Sequence, residues 1–294
     1  MITFDTIRQE QLTEEYLEEK QIIVGKGKNY NNIIFLAGGA GSGKGFAIKN
    51  FLQGEKYRVR DVDEWKRLVM KIHKLKRSDS SLKNLNLRNP DDVFVLHQYV
   101  EKLGIKDKTL SGMLKGISGD NRPNILFDIT LKNLNNIAMS LPGLLEVGYQ
   151  PKNIHLIWVL TDYAVAVKQN KSRDRVVPDD ILLKTHEGAA NTMMQIISKG
   201  LPNGMDGALH VVLGGKDHTV VYAGSDGKPL KDKTGEVIVK DFTYFTLKKE
   251  GRPMLKDVNK GPGGTLSGDV IKQRLFDIIK KKIPKGKTLS QIMK

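Results

Sequence analysis

The chain has 294 residues, 39% of them hydrophobic, enough for a sizeable core in one large domain or two small ones. Its 48 lysines and arginines against 33 acids leave a net charge of +15, which favours an anionic partner such as nucleic acid, phosphate or a membrane surface. Cysteine is absent, which excludes disulfides, thiolate nucleophiles and thiolate metal sites and suits a reducing cytosol. The longest apolar runs, Ile33–Ala37 and Ile154–Leu160, fall far short of the roughly 20 residues of a membrane span. Glutamates 10, 14, 15, 18 and 19 are the opposite of a basic targeting peptide. A soluble, cytoplasmic protein is expected.

Residues 8–20 read as an acidic amphipathic helix, followed by a polar linker from Gly25 to Asn32. Ile33–Ala37 is apolar throughout and rich in β-branched residues, the pattern of a central parallel strand. Glycines crowd the next eight positions, and Phe46–Leu52 has helical character. Strand, glycine loop and helix open an α/β nucleotide-binding fold. A second strand is expected at about Tyr57–Arg60, ending on Asp61-Val62-Asp63, with a helix at about 64–76. Residues 77–123 read as a helical insert, its clearest helix starting at Asn89-Pro90-Asp91-Asp92 with a cap, a first-turn proline and two acids. Asn124–Phe127 and Ile154–Leu160 are the third and fourth strands, and helices are expected at about 161–170 and 178–198. Beyond Gly204 the segments 209–213, 219–223 and 236–247 alternate like antiparallel strands, before a last helix at about 267–282.

Gly38-Gly39-Ala40-Gly41-Ser42-Gly43-Lys44 matches G-x-x-x-x-G-K in the strand–helix setting that gives such a match meaning. Small residues let successive backbone N–H groups close around a phosphate, the following helix adds its positive end, and Lys44 adds a mobile cation for the terminal phosphates. Gly45 stands where a serine or threonine would offer magnesium a hydroxyl, so the loop resembles that of adenylate kinases more than that of small GTPases. A guanine-specifying N-K-x-D is also missing, since Arg173 follows Asn170-Lys171-Ser172. Gly38 to Gly45 are therefore the candidate ATP-binding residues, and Mg²⁺ is expected to be held through water and carboxylates, with Asp128 as the metal-side candidate.

A kinase also needs a carboxylate that orients the acceptor hydroxyl and takes its proton. Asp61 and Asp63 after the second strand and Asp128 after the third have that position at the strand ends. Asp63 is the favoured base; the other two stay open. Lys168, Lys171, Arg173 and Arg175 fall between a helix and the break at Pro178, where a mobile basic segment can neutralise charge in the transition state. None of the six histidines pairs at ligand spacing, so zinc is not expected, and His186 reads as a polar residue on a helix face, with a substrate contact as the alternative. Trp65 is a candidate to stack on a base or sugar, and a core role suits it equally.

Asp61-Val62-Asp63-Glu64-Trp65 and Phe127-Asp128-Ile129-Thr130 resemble the two acidic stations of zeta-toxin-like P-loop kinases. The resemblance, over about residues 33–200, implies a catalytic base at the first station and an Asp-x-Thr at the second, making Thr130 a substrate-side residue. Asn170, Arg173, Arg175, Val177 and Pro178 are similar to that family's lid, whose arginines close over the transferring phosphate. Within the group, the insert, Gly45 and the basic carboxyl-terminal segment look most like bacteriophage DNA kinases acting on 5-hydroxymethyl-deoxyuridine. From Lys248 to Lys294 there are thirteen basic residues against four acidic ones, a density that suits contact with a phosphate backbone.

The expectation is an α/β P-loop kinase with a mostly parallel central sheet. Residues 1–32 form an acidic helix and linker, 33–204 the kinase core with its insert at 77–123, and 205–294 a β-ribbon with a basic carboxyl-terminal helix. ATP is the donor and modified DNA the leading acceptor. A 5′-hydroxyl polynucleotide kinase, a zeta-type nucleotide-sugar kinase and a nucleic-acid-binding ATPase are the alternatives.

Overall fold

The computed structural model describes residues 21–283, apart from 53, 76–81, 83, 234, 255, 256 and 260–264. The expected helix at 8–20, the start of the insert and the last eleven residues lie outside the described residues. A six-stranded sheet organises the chain, in the order β2-β3-β1-β4-β5-β8. Its strands are β1 (Ile33–Ala37), β2 (Arg58–Asp61), β3 (Ile125–Ile129), β4 (Ile154–Leu160), β5 (Leu209–Leu213) and β8 (Tyr244–Lys248). The first five pair in parallel, and β8 runs antiparallel along β5.

Every residue of β1 and β4 is buried, because helices cover both faces of a sheet of this kind. The two-residue period then sorts side chains by face. Ile33, Phe35, Phe127, Leu156 and Trp158 join one core with Ala190, Met193 and Ile197 of helix α8 (Asp179–Lys199). Ile34, Leu36, Leu126, Ile157 and Val159 join another with Ala47 and Phe51 of α1 (Lys44–Phe51). Phe51 stacks on Phe242 at 3.9 Å, tying α1 to strand β7 (Val239–Phe242), which pairs with β6 (Thr219–Val221) in a separate ribbon.

The strand Leu209–Leu213 meets the antiparallel expectation on one side only, along β8. It pairs in parallel with β4, and all five of its residues are buried. The apparent alternation came from His210, which is buried and bonded to Thr246 Oγ1 at 3.0 Å. Expected as one strand, 236–247 breaks at Thr243 into β7 and β8, which join different sheets. The central sheet thus continues past residue 204, through two strands that the sequence placed in a terminal ribbon.

Three boundaries shift near the strand ends. Helix α2 (Val62–Leu75) starts two residues early because Asp61 Oδ1 accepts from the Asp63 N–H at 2.8 Å, which seats Asp63 in the first turn. Strand β3 runs on to Ile129, so Asp128 lies within it, opposite Asp61. Pro178 is the cap of α8 and not its first helical residue.

The insert supplies α3 (Pro90–Lys102) and α4 (Ile105–Lys115), with Asn89 Oδ1 capping α3 through the Asp91 N–H at 3.0 Å. Short helices α5 (Asn135–Ala138) and α6 (Leu141–Glu146) follow β3, and α7 (Tyr163–Lys171) follows β4. A short antiparallel pair, β9 (Asp257–Asn259) and β10 (Thr265–Ser267), precedes α9 (Gly268–Lys282). No helix among the described residues is long and apolar enough to cross a membrane.

Candidate active site

The glycine loop leaves the carboxyl end of β1 and turns directly into α1. Gly41 and Gly43 hold φ of +72° and +88°, a region that side chains resist, and a Cβ on Gly41 would collide with the Ala166 carbonyl. Lys44 Nζ donates to the carbonyls of Gly38 at 2.7 Å and Gly39 at 3.3 Å, and lies 3.4 Å from Asp128 Oδ1. The cap of α1, Gly43, brings no side-chain acceptor, and no acid sits in the first turn, so the positive helix end is left for a ligand. Ser42 Oγ is buried without a partner, while the Ser42 carbonyl accepts from Thr161 Oγ1 at 2.6 Å. These donors fit a triphosphate.

Magnesium fits the same residues on different terms. No cluster of three metal-ligating side chains occurs among the described residues. A Cβ on Gly45 would meet nothing within 4 Å, so packing does not exclude a serine or threonine there. Asp128 is the carboxylate that would face the ion, directly or through water, an arrangement magnesium accepts because it keeps much of its hydration.

The acids have sorted into different tasks. Asp61 is a helix cap. Asp63 accepts from Lys66 Nζ at 3.1 Å and from Arg175 Nη2 on the segment between α7 and α8. Burial alone would raise the Asp63 carboxyl, but Arg175, Lys66 and Lys44 together hold it below the usual carboxylate range. Burial pushes Asp128 up, Lys44 opposes this, and the charges of Asp61 and Asp63 add to it. Asp63 is thus a firmly ionised acceptor, and Asp128 is the strained one.

That strain has a measurable sign. A carboxyl raised in the folded state takes stability away as pH climbs from about 4 through its folded value. Asp128→Asn should therefore melt higher than the parent at neutral pH, by roughly 2 °C. The gap should close below about pH 4, where the parent is protonated too. Melting curves across that range check it; a variant less stable at neutral pH would mean the Lys44 pairing outweighs the burial.

The segment between α7 and α8, expected as a lid, is braced at its base. Asn170 Nδ2 donates to the Val177 carbonyl at 2.8 Å, and its Oδ1 accepts from the Val177 N–H at 3.0 Å. The Val176 N–H reaches the Leu87 carbonyl at 2.9 Å, joining lid to insert. Arg175 is nearly buried and Arg173 lies beside it in the cleft, whereas Lys168 and Lys171 point to solvent.

A cavity of about 680 Å³ collects these parts. Lys44, Asp63 and Asp128 open into it with Arg173 and Arg175, and Asp61 and Thr130 line it as well. Trp65 belongs to α2, but its side chain lies outside the described residues. Phe94, His97 and Lys106 of the insert, which was expected as a whole to flank the cleft and grip a polymer, also line the cavity. Lys66 was missed, although its place one helical turn after Asp63 could have suggested the pairing.

His186 departs most from expectation. It is 2% exposed, its Nε2 lies 2.9 Å from the Ala40 carbonyl, and its ring meets Tyr163 edge-on. Burial pushes its pKa down to about 4. A Cβ on Gly39 would strike this ring, so the histidine braces the phosphate loop from α8.

No protein-family model and no curated protein matches the chain. Among solved structures it is similar to the AvrRxo1-ORF1:AvrRxo1-ORF2 complex with sulphate ions, at 11% identity and a TM-score of 0.47, over 88% of this chain and 66% of that one. The AvrRxo1-ORF1:-ORF2 structure with ATP gives 12% identity and a TM-score of 0.46, over 87% and 65%. A structure of the PezAT chromosomal toxin–antitoxin system of Streptococcus pneumoniae gives 15% and 0.39, over 71% and 76%. The chain spans just under two thirds of the length of the AvrRxo1 chains it matches.

Proposed function

We propose that the chain is an ATP-dependent kinase that transfers the γ-phosphoryl group to a hydroxyl on DNA, with 5-hydroxymethyluracil as the leading acceptor. The observation that carries the reading is the shared cavity: the loop lysine, the acidic stations and the lid arginines face one another across it. ATP in the glycine loop supplies the phosphoryl group. Lys44 and the amino end of α1 hold its phosphates. Asp63 accepts the hydrogen bond of the acceptor hydroxyl, whose oxygen attacks the γ-phosphorus as the bond to ADP breaks, and the proton leaves towards that carboxylate. An ionised, fixed carboxylate suits a transfer in which positioning outweighs proton abstraction. Arg173 and Arg175 balance charge on the equatorial oxygens.

DNA is favoured by charge. Thirteen of the last 47 residues are basic, and within α9 Arg274, Lys280 and Lys281 are exposed. The insert wall beside Asp63 gives a polymer a second surface to meet.

The test offers labelled ATP with closed circular DNA containing 5-hydroxymethyluracil and, separately, with unmodified 5′-hydroxyl oligonucleotides. Label on the circular DNA alone is the expected result. Label on free ends alone would make the chain a polynucleotide kinase, and free phosphate with no labelled acceptor would make it an ATPase.

A further inference from the structure

The cavity wall carries seven lysines and arginines against five carboxylates, and several of these charges are already engaged. Lys44 faces Asp128, and Lys66 and Arg175 share Asp63. Arg60 and Lys106, on the wall formed by β2 and the insert, have no carboxylate within 4 Å among the described residues.

Arg60 is held in place by its own contacts. Its Nη2 donates to the Lys106 carbonyl at 2.6 Å and to Thr109 Oγ1 at 3.3 Å, its guanidinium lies 5.4 Å from the centre of the Phe127 ring, and its Nε is buried without a partner. A guanidinium fixed this way loses little freedom on meeting an oxyanion. Lys106 sits in the first turn of α4, whose cap Gly104 brings no side-chain acceptor and lines the same cavity. Burial and then the Arg60 charge hold the Lys106 ammonium below its usual range, although Asp107 and Glu101 pull the other way. Those two acids are exposed, Asp107 in the same first turn of α4, and they offset the pair only in part.

We infer that Arg60, Lys106 and the amino end of α4 form an anion subsite for a phosphate group of the acceptor, apart from the triphosphate site on the glycine loop. This rests on the kinase reading and deepens it by assigning residues to a phosphate of the molecule that bears the hydroxyl. A fixed guanidinium, an ammonium and a helix amino end together suit a phosphate monoester or diester. Two sources share that chemistry, a phosphodiester of DNA and the phosphate of a free nucleotide.

The test uses the full chain saturated with a non-hydrolysable ATP analogue, so that the loop is occupied. Calorimetric titration with inorganic pyrophosphate should show one further site in the parent. Lys106→Gln should weaken it about ten-fold, and Arg60→Lys, which keeps charge but loses the anchored guanidinium, several-fold. Affinity for the ATP analogue should stay within about two-fold in both variants. A second pair of titrations separates the sources, with a hydroxymethyluracil oligonucleotide and with the corresponding mononucleotide. Weakened binding of the oligonucleotide alone supports a diester occupant, and weakened binding of the mononucleotide supports a free nucleotide. A parent that takes up no second anion, or variants that bind all probes as the parent does, would overturn the subsite even if the chain proves to be a kinase. Loss of the second anion in Lys106→Gln would uphold it even if no acceptor is ever phosphorylated.

Discussion

Lys44→Ala is expected to lower phosphoryl transfer by about a thousand-fold or more, since it removes the one cation that the loop itself directs at the terminal phosphates. The side chain is only 12% exposed, so the fold must be watched alongside the rate. Its contacts are two loop carbonyls and Asp128, and the carbonyls can turn to water once it is gone. Asp128 then loses its opposing charge and should titrate still higher. The melting temperature should fall by no more than a few degrees, whereas the rate should collapse. Turnover within ten-fold of the parent would remove the glycine loop from the chemistry.

Asp63→Asn should cost about a hundred-fold or more in transfer rate, within the range for a misplaced general base. It also leaves Arg175 and Lys66 facing a neutral amide, which should cost about 1–3 kcal/mol for a pair of this partial exposure. The pH dependence of that cost has a definite sign. A carboxyl depressed in the folded state adds stability above the unfolded pKa near 4, and that stability is lost as pH falls through the folded value. Melting of parent and variant should therefore differ at neutral pH and converge in acid. Arg175→Ala should lower the maximal rate more than it weakens ATP binding, because charge on the phosphoryl oxygens grows in the transition state. In a double variant the stability losses should fall short of additive, since both substitutions break one contact. Full additivity would mean that the pair is not a working contact.

Much of this was legible because it is local. Ile33–Ala37 and Ile154–Leu160 match their expected strands residue for residue, since a continuous apolar run has few other homes in an α/β protein. The cap at Asn89 and the loop from Gly38 to Lys44 carry their own local signatures. Long-range relations were not legible. His210 made β5 look alternating because nothing in its neighbourhood announces Thr246, 36 residues away. His186 read only as a polar helix-face residue or a substrate contact because its partner, the Ala40 carbonyl, lies 146 residues back along the chain. The pairing of Asp63 with Arg175 spans 112 residues, and only the separate placing of each beside the loop hinted at it.

The insert meets the rest of the chain in two places, and only one of them is a cluster of its own. Val69 and Met70 of α2 pack with Leu82, Leu96 and Val100, separately from the two cores that hold the sheet. Leu110, Met113 and Leu114 of α4 lie instead against one of those two cores. The outer helix α3 therefore rests on a patch with its own packing rules, while α4 is tied to the sheet that carries the groups proposed to do the chemistry. Such a division makes α3 the freer half. A lineage could vary it, keeping the footprint on α2, and reshape the cavity wall at Phe94 and His97 with the glycine loop untouched.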